Sequence, residues 1–340
     1  MKKLLAMVLA LVMTLSLAVS ASAFKDDKDV SADYAEAVAV LNGMDVFKGY
    51  EDGSFKPQGN ITRAEVATII YRIYTGDVAK NDKSGLYSTY NKFSDMAGAG
   101  WAAGYIGYCA NAEFVKGYPD GTFKPSGNVT GYEVLTMILR AIGYDKNNEF
   151  SGADWSLNVA KYAEQLGVLK NVDKNTNLGA PATRELVAEI LFRAIQQPTV
   201  TYTPAFGYQT DKALTLAQVT LAKKNFNLDS KDSEDEWGRP STKWYNTKTN
   251  KTYAEVVATP DASYNVATAQ CDICSALGEK TSAKIVETYT NGVKSTAAVT
   301  YKATATKAMV GAQGEQIEFY ELKDGGYRLV IVDTYLAYVK

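Results

Sequence analysis

The stretch Gly49–Val66, GYEDGSFKPQGNITRAEV, returns as GYPDGTFKPSGNVTGYEV at Gly117–Val134, 68 residues later, with 12 of the 18 positions identical. Identity this dense at a fixed spacing marks an internal repeat, each copy being one supersecondary unit that buries its apolar face against its neighbours. An eroded third copy ends in Ala182–Leu186 (ATREL). The repeat has a mechanical reading. Asp-Gly pairs at Gly53 and Gly121 suit tight turns with φ above zero. Phe55 and Phe123 follow as apolar anchors, and Pro57 and Pro125 end the extended piece. Thr62 and Thr130 are placed as helix N-caps with Glu65 and Glu133 three residues on, which predicts capping boxes. Val66, Ile69, Ile70 and Ile73 then recur at helical spacing, as do Val134, Ile138 and Ala141 in the second copy and Val187, Ile190, Leu191 and Ile195 in the third.

The rest of the N-terminal half fits around these signatures. The first 23 residues read as a cleaved signal peptide: Lys2 and Lys3, an uncharged apolar run over Leu4–Val19, then Ala21-Ser22-Ala23. The run is short for a membrane span of ~20 apolar residues. The expected mature chain therefore begins near Phe24, is exported, and keeps no membrane segment. Copy one (24–76) has a first helix around Tyr34–Leu41. A polar linker over Thr75–Asn91 leads to copy two (92–145), whose first helix holds Trp101, Tyr105, Ile106 and Cys109. Copy three (150–197) has Trp155, Val159 and Leu166, but Asn171–Pro181 replaces the glycine loop, and its Thr183-Arg184-Glu185-Leu186 start lacks the capping glutamate. Gly131 stands where the first copy has Arg63. A second arginine, nine residues beyond the motif position, recurs as Arg72, Arg140 and Arg193. It lies on the opposite helix face, near the C-terminus where the dipole favours a cation, and reads as structural.

The pattern GY-x-DG-[ST]-F-x-P followed by [IV]-T-R-A-E, in tandem behind a signal peptide, resembles the S-layer homology family over about Phe24–Gln197. The resemblance implies three repeats packed as a pseudo-threefold helical bundle with grooves between them. It also implies a partner: a secondary cell-wall polysaccharide, typically one carrying pyruvate ketals. A fixed carboxylate on a sugar calls for a guanidinium near a helix N-terminus, where unpaired N–H groups also face an anion. Arg63 and Arg184 have that placement. Trp101 and Trp155 are expected to pack on sugar faces. Gly49 and Gly117 would let the backbone approach a ligand, and by family analogy Asp26 and Asp95 shape the ligand site or brace the loop.

Composition narrows the chemistry. The chain has 340 residues, a net charge of −2 and no histidine. It therefore lacks the commonest general base and metal ligand, and no basic block points to nucleic acid or an anionic membrane. Cys109, Cys271 and Cys274 are too few for a disulfide framework. The lone C-x-x-C lacks further zinc ligands. It reads as two small core residues, with a bridge open in an oxidising compartment. No cofactor is implied.

After a linker at 198–210, residues 211–340 read as β-rich, with a helix or strand over Leu214–Phe226 and a solvated acidic loop at Asp229–Glu236. Hairpins follow around Asn291-Gly292 and Lys323–Gly326. This half suggests an Ig-like or stalk module, and the apolar run at the very end reads as a chain that continues into a longer protein. No nucleophile elbow, phosphate loop or metal cluster is visible. The sequence thus predicts a multidomain α+β surface protein without enzymatic activity, anchored to the wall by its repeats and able to self-associate in a lattice. The alternative is an anchored glycosidase-like enzyme or adhesin whose active module lies in or beyond the C-terminal half.

Overall fold

The computed structural model describes residues 19–20, 24–78, 82–90, 92–267, 269–279, 281–295, 297–302 and 308–334. The expected signal peptide lies almost wholly outside them. The chain divides into two compact units, one of residues 20–229 with 244–254, the other of 1–19, 230–243 and 255–340.

The first unit holds the repeats as three helix pairs: α1 (Ala32–Gly43) and α2 (Arg63–Thr75), α3 (Ala103–Asn111) and α4 (Gly131–Ala141), α5 (Trp155–Gln165) and α6 (Arg184–Ile195). Capping starts the second helix of each pair. Thr62 accepts from the Glu65 N–H while Glu65 accepts from the Thr62 N–H at 2.8 Å, and Thr130 and Glu133 repeat the reciprocal pair. Thr183 has only its half of the arrangement, accepting from the Leu186 N–H, as the missing glutamate predicts. The predicted apolar faces of α2, α4 and α6 are buried throughout. Each of these larger aliphatic side chains contributes about 1.5–3 kcal/mol.

A ring of three backbone hydrogen bonds joins the copies. Ile61 N–H donates to Ala182 O (3.2 Å), Ala182 N–H to Val129 O (2.8 Å), and Val129 N–H to Ile61 O (3.1 Å). Ile61, Val129 and Ala182 precede the three helix starts and are buried. The hydrogen bonds therefore run round a closed cycle, and the copies meet through their helix N-termini.

Residues 198–210, expected as a linker, are instead the hairpin β2 (Val200–Thr203) and β3 (Gly207–Thr210). It is held because Tyr208 packs on Tyr144 at 4.9 Å and donates to Glu149 at 2.7 Å. The polar stretch after α2 is also not a free linker. Ser84–Tyr87 form a 3-10 turn against α3, where a Cβ on Gly104 or Gly107 would sit 2.2 Å from Ser84 O or 2.3 Å from Tyr87 O. The helix-or-strand segment resolves into a short helix, α7 (Leu221–Phe226). Most of the expected acidic loop is strand β4 (Leu228–Glu234). After the buried Leu228 the strand is exposed almost throughout, so its charged side chains stay in water.

In the second unit, β7 (Ala262–Asn265), β9 (Ser282–Thr290), β10 (Val293–Ser295), β11 (Val299–Lys302), β13 (Glu315–Glu321) and β14 (Tyr327–Asp333) form a six-stranded sheet ordered β10–β9–β14–β13–β7, with β11 also on β9. Both predicted hairpins form. Asn291 and Gly292 take φ of 48° and 79°, as a type I′ turn requires, and Glu321 pairs with Tyr327 across the other. The expected Ig-like topology does not: an Ig domain packs two antiparallel sheets, whereas here β9 and β14 run parallel within one sheet. Cys271 and Cys274 are buried free thiols in its core with Val266, Ile285, Ile317 and Phe319.

Candidate ligand-binding grooves

The motif arginine of one copy enters the loop of the next. Arg63 is 3 % exposed; its Nε donates to Phe123 O at 2.7 Å, and its Nη1 meets Glu133 Oε1 at 2.8 Å. The guanidinium also lies 4.6 Å from the rings of Tyr118 and Phe123. Arg184, 2 % exposed, does the same in the first copy. Its Nε donates to Phe55 O at 2.7 Å, its Nη2 to Lys48 O at 2.9 Å, and its Nη1 reaches Glu65 at 3.3 Å. Planar guanidinium forks suit this simultaneous recognition of carbonyls, a carboxylate and an aromatic face.

Gly131 is the third member of the cycle, and it faces the copy that lost its loop. A Cβ there would come within 2.8 Å of the Leu178 side chain. Leu178 belongs to the replacement segment Asn171–Pro181, so the residue that crowds Gly131 comes from the segment that stands in place of the loop.

The helix N-termini are not the open anion sites expected from sequence. The Arg63 and Ala64 N–H groups donate to Gly127 O and Pro125 O, and those of Arg184 and Glu185 to Gly59 O and Pro57 O. The neighbouring copy satisfies the donors that an anion would have used. Asp26 accepts from Phe55 and Lys56 N–H at 2.7 and 2.8 Å, and Asp95 from Phe123 and Lys124 N–H at 2.8 and 2.7 Å. Both brace loops, and they do so where Lys56 and Lys124 take the positive φ values of 57° and 59°. Gly49 and Gly117 are needed for loop closure: a Cβ would stand 2.7 Å from Ser54 O or 2.6 Å from Thr122 O.

Two grooves repeat the same plan. Groove one has a cavity volume of about 900 Å³ and is lined from all three copies. Tyr50, Glu65 and Arg72 come from the first, Gly98–Trp101 and Ser126 from the second, and Arg184 from the third. Groove two, about 150 Å³, has the counterparts Tyr118, Glu133, Arg140, Trp155 and Arg63. The indoles differ most. Trp101 is 66 % exposed, on the 3-10 segment Met96–Ala102 that Gly100 kinks at φ 52°. Trp155 is half-buried, edge-on to Tyr132 at 6.2 Å.

The polar networks differ too. In groove two the Tyr118 hydroxyl donates to Glu133 at 2.7 Å, and burial together with that bond pushes its pKa up to about 12. The corresponding Tyr50–Glu65 bond is 3.4 Å. Burial raises the Tyr50 pKa and nearby Arg184 opposes it. Burial lowers the pKa of Arg184 itself, against the pull of Tyr50 and Glu65. As ligand-site residues, sequence reasoning missed Tyr50, Glu65 and Arg72 and their counterparts Tyr118, Glu133 and Arg140. The Gly-Tyr pair recurring at 49–50 and 117–118 was the available signal for the first.

The S-layer homology domain family matches residues 23–67 and 92–135, which supply Tyr50 and Glu65 of groove one and Tyr118 and Glu133 of groove two. The chain carries S-layer homology domains. Over 239 residues it is 28% identical to the "Middle cell wall protein" of Brevibacillus brevis, covering 69% of this chain and 22% of that protein. It is 36% identical over 123 residues to the "Cellulosome-anchoring protein" of Acetivibrio thermocellus, covering 36% and 26%. It is 27% identical over 190 residues to "Exoglucanase XynX" of Acetivibrio thermocellus, covering 51% and 16%. The chain thus spans about a fifth of the length of the first relatives it matches. S-layer homology domains and surface-protein relatives indicate a cell-surface location. Among the described residues, no helix is long and apolar enough to cross a membrane.

Proposed function

We propose that the S-layer homology repeats tether this chain to the bacterial cell wall by binding a secondary, pyruvylated wall polysaccharide in groove one. The observation that carries the reading is the open cavity of about 900 Å³ that brings an exposed Trp101 beside Arg184 and Arg72. That volume lies within the ~300–1,000 Å³ of ordinary ligand clefts. An indole face takes the apolar side of a sugar ring, while cations beside it take a carboxylate. The buried Arg184 holds the wall of the site, and its remaining surface meets the ligand. Asp26, Asp95, Gly49 and Gly117 act through loop shape. Arg63 and Trp155 belong to the smaller groove two.

The test is co-sedimentation of the purified chain with isolated walls, before and after extraction of the non-peptidoglycan polymer. Binding is expected only to walls that keep the polymer, and should fall about tenfold with Trp101→Ala. Equal binding to extracted walls would overturn the reading.

A second reading, an anchored enzyme, has support in the relative named as an exoglucanase. Release of soluble sugar from walls by the purified chain would favour it. Self-association in a surface lattice would appear as ordered sheets by electron microscopy.

A further inference from the structure

The second arginines of the three copies occupy equivalent helix positions and have different partners. Arg140 Nε donates to Asp145 at 2.7 Å, and Asp145 also takes Lys116 at 3.3 Å and the Phe150 N–H at 2.8 Å. Arg193 is held by Glu189 at 2.7 Å and Glu36 at 2.8 Å. Among the described residues Arg72 has one hydrogen bond, Nη1 to Val46 O at 3.2 Å, and its buried Nε finds no acceptor.

Acids do lie near it. Asp77 stands 68 residues before Asp145, yet it accepts from the Tyr71 hydroxyl at 3.3 Å. The helix ends differently here, with left-handed Gly76 as the C-cap where α4 has Ile142. Asp82 feels the Arg72 charge but accepts its hydrogen bonds from the Ser84 N–H and the Tyr105 hydroxyl. Arg72 therefore lines groove one, along with Arg184 and Trp101, with donor capacity that the fold leaves unused. In groove two the matching Nε has its acceptor, because Asp145 pairs with Arg140, and Asp145 holds Lys116 as well.

We propose that Arg72 contacts the ligand directly, as the receptor for an anionic sugar substituent, and that the chain consequently has one working groove rather than two. The inference rests on the polysaccharide reading above and deepens it. A carboxylate or phosphate oxygen in the groove would give the half-buried Arg72 guanidinium a charge-assisted acceptor, the side chain turning to bring its buried Nε to the ligand. The recognised chemistry is an anion on a saccharide, and a carboxylate ketal and a phosphate ester share it.

Isothermal titration of the full chain tests the assignment. The probes are a pyruvyl-ketal monosaccharide, the same sugar as its phosphate ester, and the neutral parent. One equivalent should bind, the neutral parent most weakly, and the stronger of the two anions identifies the source. Arg72→Gln should weaken binding roughly ten- to hundredfold, the loss of one charge-assisted bond. Arg72→Lys should recover part of it. Arg140→Gln should lower the melting temperature and leave the affinity unchanged. Two equivalents, or wild-type affinity in Arg72→Gln with an unchanged melting temperature, would overturn the proposal. Wall binding that survives Arg72→Gln but falls with Trp101→Ala would overturn Arg72 and keep the groove. Absence of wall binding by the unaltered chain would overturn both.

Discussion

Grooves one and two are built from the same parts, and they differ in whether those parts satisfy one another. In groove two the motif arginine, the capping glutamate and the loop tyrosine close at 2.7–2.8 Å, and Asp145 pairs with both Arg140 and Lys116. In groove one the corresponding contacts are 3.3 and 3.4 Å, and Arg72 has an unused donor. A repeat can therefore keep its scaffold while the side chains around its groove differ in how far they satisfy one another. The self-satisfied groove stiffens the bundle, and the unsatisfied one is left with something to offer a ligand.

Removing the motif arginines probes the largest difference. Arg63→Ala leaves Glu133 and two carbonyls without their cation. It should cost about 3–5 kcal/mol in denaturant unfolding, the usual loss on breaking a buried pair. Arg184→Ala should cost less, because its glutamate contact is longer. Equal losses would erase the distinction between tight and slack networks.

Asp145→Asn comes next, with an expected loss of about 3 kcal/mol, while Asp77→Asn should cost under ~1 kcal/mol, as its bond to Tyr71 is long. The pH dependence has a definite sign. Burial alone would raise the Asp145 pKa, but the Phe150 N–H and Arg140 pull it below its ordinary 3.8. Its contribution is therefore complete above pH 3.8 and disappears as the pH falls through the lower folded value. The stability gap between wild type and Asp145→Asn should close in that acid window. A gap that stayed constant would mean the carboxylate is not the source.

Gly131→Arg should cost about 1–3 kcal/mol, since Leu178 occupies the space. Combining it with Leu178→Ala should recover part of the loss in thermal melts. The smallest stability effect belongs to Trp101→Ala, within ~0.5 kcal/mol because the ring is mostly exposed. It should nevertheless impair wall binding most clearly relative to its structural cost. Trp155→Ala should show the reverse, a measurable fall in melting temperature and unchanged wall binding.

Local chemistry carried much of this in the sequence. Thr62 and Glu65 declare a capping box, the apolar spacing after Val66 declares a buried helix face, and the turn at Asn291-Gly292 declares a hairpin. Each is decided by residues within one or two turns of chain. Partners distant in sequence were harder. Arg63 lies next to a helix start, which suggests an anion site, but its environment comes from Phe123 and Glu133, about 60–70 residues away. Arg72 looked structural because its two counterparts are; only the path of the chain beyond Gly76 separates it from Arg140. The 198–210 hairpin was hidden because Tyr208 finds its anchor, Tyr144, in the second copy, 64 residues back. The grooves themselves, made from three copies at once, have no signature in any single stretch.

The most direct measurement is a crystal structure of the full chain with a pyruvylated wall disaccharide. The account predicts one bound sugar per chain, its ring on Trp101 and its carboxylate against Arg72, with nothing between Trp155 and Arg140. A sugar in groove two, or equal occupancy of both grooves, would contradict it.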